Sequence, residues 1–173
     1  MIDWVGTHIF SNFGSGTLQR IPTYWSPFCI VDPNGLLNEY EILRNIGVEP
    51  IIFLDERCPV TTPLEFMINR TLATENGHGS CGVGVGQTFQ REEEHYSLTV
   101  GDLQYPWVLK TKLQLLDKYY TSHPNYPIIE SDFDADDFDG FIEDCTSLVK
   151  LPSIKIVRGM RKTAYDHVIF EGA

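Results

Sequence analysis

Apolar residues in this chain fall into short continuous runs separated by stretches of helical spacing. Phe28-Cys29-Ile30-Val31 and Pro50-Ile51-Ile52-Phe53-Leu54 are runs that predict buried strands. Between them, Leu36, Leu37, Tyr40, Leu43 and Ile46 recur on one helical face, after a turn signal at Asp32-Pro33-Asn34-Gly35. Gly47 then sits where a helix C-cap glycine belongs. Thr61-Thr62-Pro63 supplies a capping threonine and a first-turn proline for a helix running from Leu64 to Thr74.

Further along, Val108, Leu109, Leu113, Leu116 and Tyr120 predict a second amphipathic helix over 107–120. Phe138, Phe141, Ile142, Cys145 and Leu148 predict an acidic one over 133–148. Ile154–Val157 and His167–Phe170 are late strand candidates, and residues 7–18 begin as a strand and end in a Gly/Ser turn. The alternation predicts an α/β fold, a mixed central sheet flanked by helices. Its strands are expected to include Phe28–Val31, Ile51–Leu54 and His167–Phe170. No internal repeat and no dividing linker interrupts the chain, so residues 1–173 read as one partial domain.

Composition narrows the classes. Hydrophobic residues make up 42% and the net charge is −11, which favours a folded chain and excludes a phosphate-neutralising nucleic-acid surface. The acid is concentrated, with eight of the 24 carboxylates lying in residues 130–144. Taking Asp132 as the first position of a calcium loop puts Asp137 where glycine is required, so this run reads as a solvated helix face. The four cysteines form no CxxC pair and fit reduced thiols in the cytoplasm, and no apolar run approaches the length of a membrane span.

The feature that invites chemistry is residues 76–88, NGHGSCGVGVGQT, with five glycines between Gly77 and Gly86. Glycine lets backbone N–H groups approach a ligand, and successive N–H groups beside a hydroxyl such as Ser80 form an anion nest. The loop is neither a Walker loop nor GxGxxG. Its rival reading is a plain surface connector. His78 and Cys81 are too sparse to argue a metal site. Residues 91–95, REEEH, read as surface.

The order of segments carries more than any one of them. Ser15-Gly16-Thr17-Leu18 closes a histidine-led strand, and Cys58-Pro59 precedes a helix. The glycine loop follows, then Val100-Gly101-Asp102-Leu103, then Phe170-Glu171-Gly172-Ala173. This series resembles the adenylosuccinate synthetases across nearly the whole chain. The resemblance implies a ligase of purine biosynthesis that uses GTP and Mg2+ to phosphorylate IMP and joins aspartate to it, in the cytoplasm. The family's triphosphate loop, catalytic aspartate and catalytic histidine fall upstream of residue 1, and its aspartate-binding and guanine-specificity segments fall downstream of residue 173. Both ends accordingly read as cut.

The resemblance therefore assigns no catalytic residue and no metal ligand here. It leaves the contacts to a purine monophosphate and to a second subunit of a homodimer, and implies that residues 1–173 alone do not run the reaction. Ser80, Cys81 and Gly82 take the place of the family's phosphate-binding loop. Cys81 stands for its second threonine, Val83 for its arginine and Gln87 for its proline. His95 stands where an arginine reaches the partner's site, and Arg91, one helical turn away, is the candidate cation for the monophosphate. These departures leave open a purine monophosphate other than IMP. They also leave open a non-catalytic nucleotide-binding or assembly module.

Overall fold

A computed structural model describes residues 8–76, 82–126, 135–160 and 165–171. Three strands, β1 (Thr23–Trp25), β2 (Ile52–Asp55) and β3 (Ile154–Val157), form a parallel sheet in the order β1-β2-β3. Tyr24 pairs with Phe53, and Leu54 with Ile156. Among the described residues five helices accompany it: α1 (Pro33–Asn45), α2 (Pro63–Asn76), α3 (Val85–Glu93), α4 (Pro106–Ser122) and α5 (Ala135–Lys150). Short 3-10 turns occupy Ser15–Gln19 and Val100–Gln104. The class is α/β, as the alternation predicts.

Local chemistry explains the helix ends. The Asp32 carboxylate accepts the Asn34 amide at 3.1 Å, and Pro33 begins α1, where its missing N–H costs nothing. At the other end Val48 N–H bonds Leu43 C=O and Gly47 N–H bonds Arg44 C=O, each at 3.0 Å. This is a Schellman closure with Gly47 at φ +82°. Helix α2 begins at Pro63, directly after the predicted threonine.

The core is one cluster. Leu36 and Leu43 of α1, Leu109, Leu113 and Leu116 of α4, and Phe141, Cys145 and Leu148 of α5 close over Ile52, Leu54 and Ile154 of the sheet. Helix α5 packs against α1, α4 and β3.

Three strand expectations change. Residues 8–14 form no strand, because the Ser11 and Asn12 amides bond the Glu39 carboxylate rather than a ladder partner. The strand beside β2 is Thr23–Trp25, and at Ser26–Cys29 the chain turns, with Cys29 N–H on Ser26 C=O at 2.9 Å. Pro27 falls in that turn and has no amide hydrogen for a ladder. Phe28 is 93% exposed, and Val31 keeps only a bridge to Val60. The run His167–Phe170 is not a strand either, and Phe170 is 91% exposed. Residues 167–170 are all exposed and bury no side chain that would hold them against an edge of the sheet, and the segment is tied instead through Glu171 to Ser15. Antiparallel pairing among the described residues is confined to the Pro59–Thr99 bridge.

Candidate functional site

Of the glycine loop, the described part begins at Gly82, and Ser80 and Cys81 lie outside the described residues. Gly82 and Gly84 both hold left-handed backbone, at φ +75° and +73°. Gly84 is followed at once by α3, a helix the glycines and the charged run conceal in the sequence. Its carbonyl accepts the Thr88 amide at 2.9 Å and the Thr88 hydroxyl at 3.1 Å. The first amides of α3 therefore point back toward the loop with no partner inside the helix.

Helix α3 is fixed on α2 by polar contacts that centre on a buried ion pair. Arg91, expected at the surface, is 0% exposed. Its Nε donates to Glu65 Oε1 at 2.5 Å, its Nη1 to Glu92 at 2.7 Å and to the Tyr96 carbonyl at 2.8 Å, and its Nη2 to the Val60 carbonyl. Glu65 is equally buried and also accepts the Tyr120 hydroxyl at 2.8 Å, the Thr62 amide at 2.7 Å and the Thr62 hydroxyl. Burial and the adjoining Glu65 carboxylate push the Tyr120 phenol far above its ordinary value, so it stays a donor. Asn69 bonds Gln87 at 2.9 Å, and Thr61 bonds Thr88 at 3.0 Å. The guanidinium of Arg91 is thus spent inside the protein, which is a different role from the exposed cation that spacing alone expects.

The motif segments meet through the backbone. The Cys58-Pro59-Val60 stretch lies between Val31 on one side and Leu98–Val100 on the other. Val31 N–H bonds Pro59 C=O at 2.8 Å, Val60 N–H bonds Leu98 C=O at 2.9 Å, and Val100 N–H bonds Cys58 C=O at 2.9 Å. Gly101 N–H bonds Glu56 C=O at 2.8 Å, and Asp102 caps its own turn through Thr99 while pairing with Lys112 at 2.6 Å. The Cys58 thiol donates to the Ser26 carbonyl at 3.1 Å, and burial pushes it up to about 12. It is a packed, un-ionised thiol and no nucleophile. The Ser15 hydroxyl donates to Glu171 at 2.5 Å, which joins the first and last motifs of the series.

At the carboxyl end of β2, buried Asp55 accepts Arg57 Nε at 2.8 Å and Nη2 at 3.0 Å, the Tyr24 hydroxyl at 3.1 Å and the Gly159 amide at 2.9 Å. Hydrogen bonding from Arg57, first among these, holds its carboxyl well below the usual range. This knot ties the ends of β1, β2 and β3 together.

A separate cavity of about 790 Å³ lies among α1, α2 and α5, lined by Asp32, Asn38, Phe66, Met67, Arg70 and Phe141. It contains none of the motif residues, and its carboxylate is committed to capping α1. Among the described residues no three His, Cys, Asp or Glu side chains come together as a metal site. Among the same residues no helix is long and apolar enough to cross a membrane.

Sequence reasoning missed Glu65 and Thr88, and saw Tyr120 only as a core position of its helix. One signal was present, because Thr62-Pro63-Leu64-Glu65 has the spacing of a capping box, in which the glutamate side chain reaches back to the capping amide.

Comparison with known proteins agrees with the family resemblance. The chain is 26% identical over 156 residues to the adenylosuccinate synthetase of Synechococcus elongatus, covering 83% of this chain and 34% of that protein. It is 28% identical over 159 residues to that of Acaryochloris marina, with the same coverage of each. With the enzyme of Haloarcula marismortui it shares 27% over 113 residues, 62% of this chain and 24% of that protein. The chain thus spans about a third of the length of the first two relatives. The family model for adenylosuccinate synthetase matches residues 3–173, nearly the whole of the chain, which therefore belongs to the adenylosuccinate synthetase family.

Proposed function

We propose that residues 1–173 are the monophosphate-binding and subunit-contact part of a purine-nucleotide ligase that joins aspartate to IMP with GTP. The 5′-phosphate sits in the loop ahead of α3. Ser80 donates its hydroxyl, and the backbone amides of Cys81 and Gly82 complete the nest with the first amides of α3. Arg91 serves this site from inside the protein, by holding α3, and does not touch the phosphate. The observation that carries the reading is the pair of left-handed glycines, Gly82 and Gly84, leading directly into α3. His95, exposed at the end of α3, faces a second copy of the chain in a homodimer. GTP and Mg2+ are held by segments of the full-length protein outside residues 1–173.

Replacing Ser80 by alanine and, separately, Gly82 by valine in the full-length protein tests the site. Calorimetric affinity for IMP falls in both variants; the thermal unfolding midpoint holds in Ser80→Ala, while Gly82→Val, strained at φ +75°, stays folded with a midpoint lower by a few degrees. Unchanged affinity in both makes the loop a connector. A second reading, another purine monophosphate, draws on Cys81, Val83 and Gln87, which depart from the family loop. A thiol is a weaker donor than the threonine hydroxyl it replaces. Titrating GMP beside IMP decides between them by which binds more tightly.

A further inference from the structure

A buried ion pair is seldom kept for stability. Apolar side chains of similar volume in its place are often neutral or stabilising, whereas a half-broken pair is costly. What a fully hydrogen-bonded pair supplies is direction, because each donor and acceptor has one satisfactory geometry. Glu65 and Arg91 are such a pair. Both are wholly buried, and no buried polar side-chain atom among the described residues lacks a partner. They join α2 to α3, the two helices that flank the glycine loop.

The geometry runs from the pair to the loop through main chain. Gly84 packs so closely on Glu65 that an added Cβ would lie 2.7 Å from the Glu65 carbonyl carbon. A shift of Glu65 therefore moves the left-handed step that starts α3. The Tyr120 hydroxyl, reaching from α4, fixes the same carboxylate oxygen that Arg91 binds.

Resting on the reading of the loop as a phosphate site, we propose that Glu65, Arg91 and Tyr120 are positioning residues for it. They hold the α3 amides and Gly82–Gly84 in the arrangement that receives a monophosphate, without touching the ligand. Removing both charges leaves the core filled but leaves the approach of α3 to α2 undirected, so the nest is no longer preset.

The test uses the full-length protein, with IMP as probe and inorganic phosphate as competitor. The double variant Glu65→Met, Arg91→Met is expected to keep its circular dichroism but to unfold at a lower midpoint, because the Tyr120 hydroxyl, the Thr62 amide and hydroxyl and the Val60 and Tyr96 carbonyls each lose a buried partner. It binds IMP about tenfold more weakly, which for an enzyme shows as a raised KM at retained kcat. Tyr120→Phe keeps the ion pair and loses one hydrogen bond, so its loss of affinity is smaller, about threefold. Wild-type affinity in a folded double variant, with Gly82→Val weakened, overturns the positioning role alone. Wild-type affinity in Gly82→Val and Ser80→Ala as well overturns the phosphate-loop reading beneath it. If the double variant does not fold, Tyr120→Phe decides: weaker IMP binding at an unchanged unfolding midpoint supports the role, and unchanged binding overturns it.

Discussion

Replacing Gly84 by alanine separates two costs that usually come mixed. The residue sits at φ +73°, and its new Cβ would meet the Glu65 carbonyl carbon and Cβ at 2.7 Å and the Glu65 oxygen at 2.8 Å. An L-residue in left-handed backbone costs about 1–2 kcal/mol. Forcing a methyl into packed backbone adds about 1–3 kcal/mol. Gly47 is the internal reference, at φ +82° with nothing within 4 Å of its added Cβ. Gly47→Ala therefore carries the first cost alone. The entropy that alanine removes from the unfolded chain, about 0.4–1 kcal/mol, is common to both and cancels. Gly84→Ala should be less stable than Gly47→Ala by about 1–3 kcal/mol, read from urea midpoints at constant m-value. At about 2–4 °C per kcal/mol for a chain of this size, the thermal midpoints should differ in the same order. Gly86, inside α3 with open space around it, gives the opposite sign, since alanine there stabilises by about 0.5–1 kcal/mol. Equal midpoints for Gly84→Ala and Gly47→Ala would refute the claim that α3 rests on the Glu65 backbone.

The Asp55 carboxyl is held below its ordinary value of 3.8, chiefly by hydrogen bonds from Arg57. A depressed folded value means that its stabilisation is complete above the unfolded value and is lost as pH falls below it. Denaturant midpoints of the wild type should fall more steeply below about pH 4 than those of Asp55→Asn; parallel profiles would remove Asp55 from the account. Cys58 and Cys145 are buried, with both thiols raised by desolvation and Cys58 at about 12. Peptide mapping after treatment of native protein with iodoacetamide at pH 8 should find both unmodified, and alkylation of Cys58 before unfolding would contradict its packing against Ser26.

Helices with an apolar inner face were legible in the sequence. Leu109, Leu113, Leu116 and Tyr120 are all buried where their spacing puts them, and the ends of α1 follow from Asp32, Pro33 and Gly47. Helix α3 was not legible, because its buried face carries Thr88 and Arg91, and a hydrophobic period cannot register a polar inner face. The same fact hid the Glu65 network. Strand β1 was missed in favour of Phe28–Val31 because three partly buried residues between two prolines leave little pattern. Family membership was readable from the series of motifs, and the family model agrees with it. What spacing could not foresee was that Arg91 points inward, since that depends on Glu65, 26 residues earlier in the chain.

The parallel order β1-β2-β3 also sets a timetable for folding. The contact between Tyr24 and Asp55 spans 31 residues and closes over α1 alone. The contact between Gly159 and Asp55 spans 104 residues and cannot form until α2 to α5 have all been made. At a synthesis rate of about 5–20 residues per second, one side of β2 waits about 5–20 s for its neighbour. Over that interval Ile52 and Leu54 lie on a strand with a bare edge, the arrangement most prone to pair with another chain. On the ribosome, pairing of β2 with β3 therefore comes after pairing with β1, and the 104-residue separation adds to the long-range contacts that slow folding.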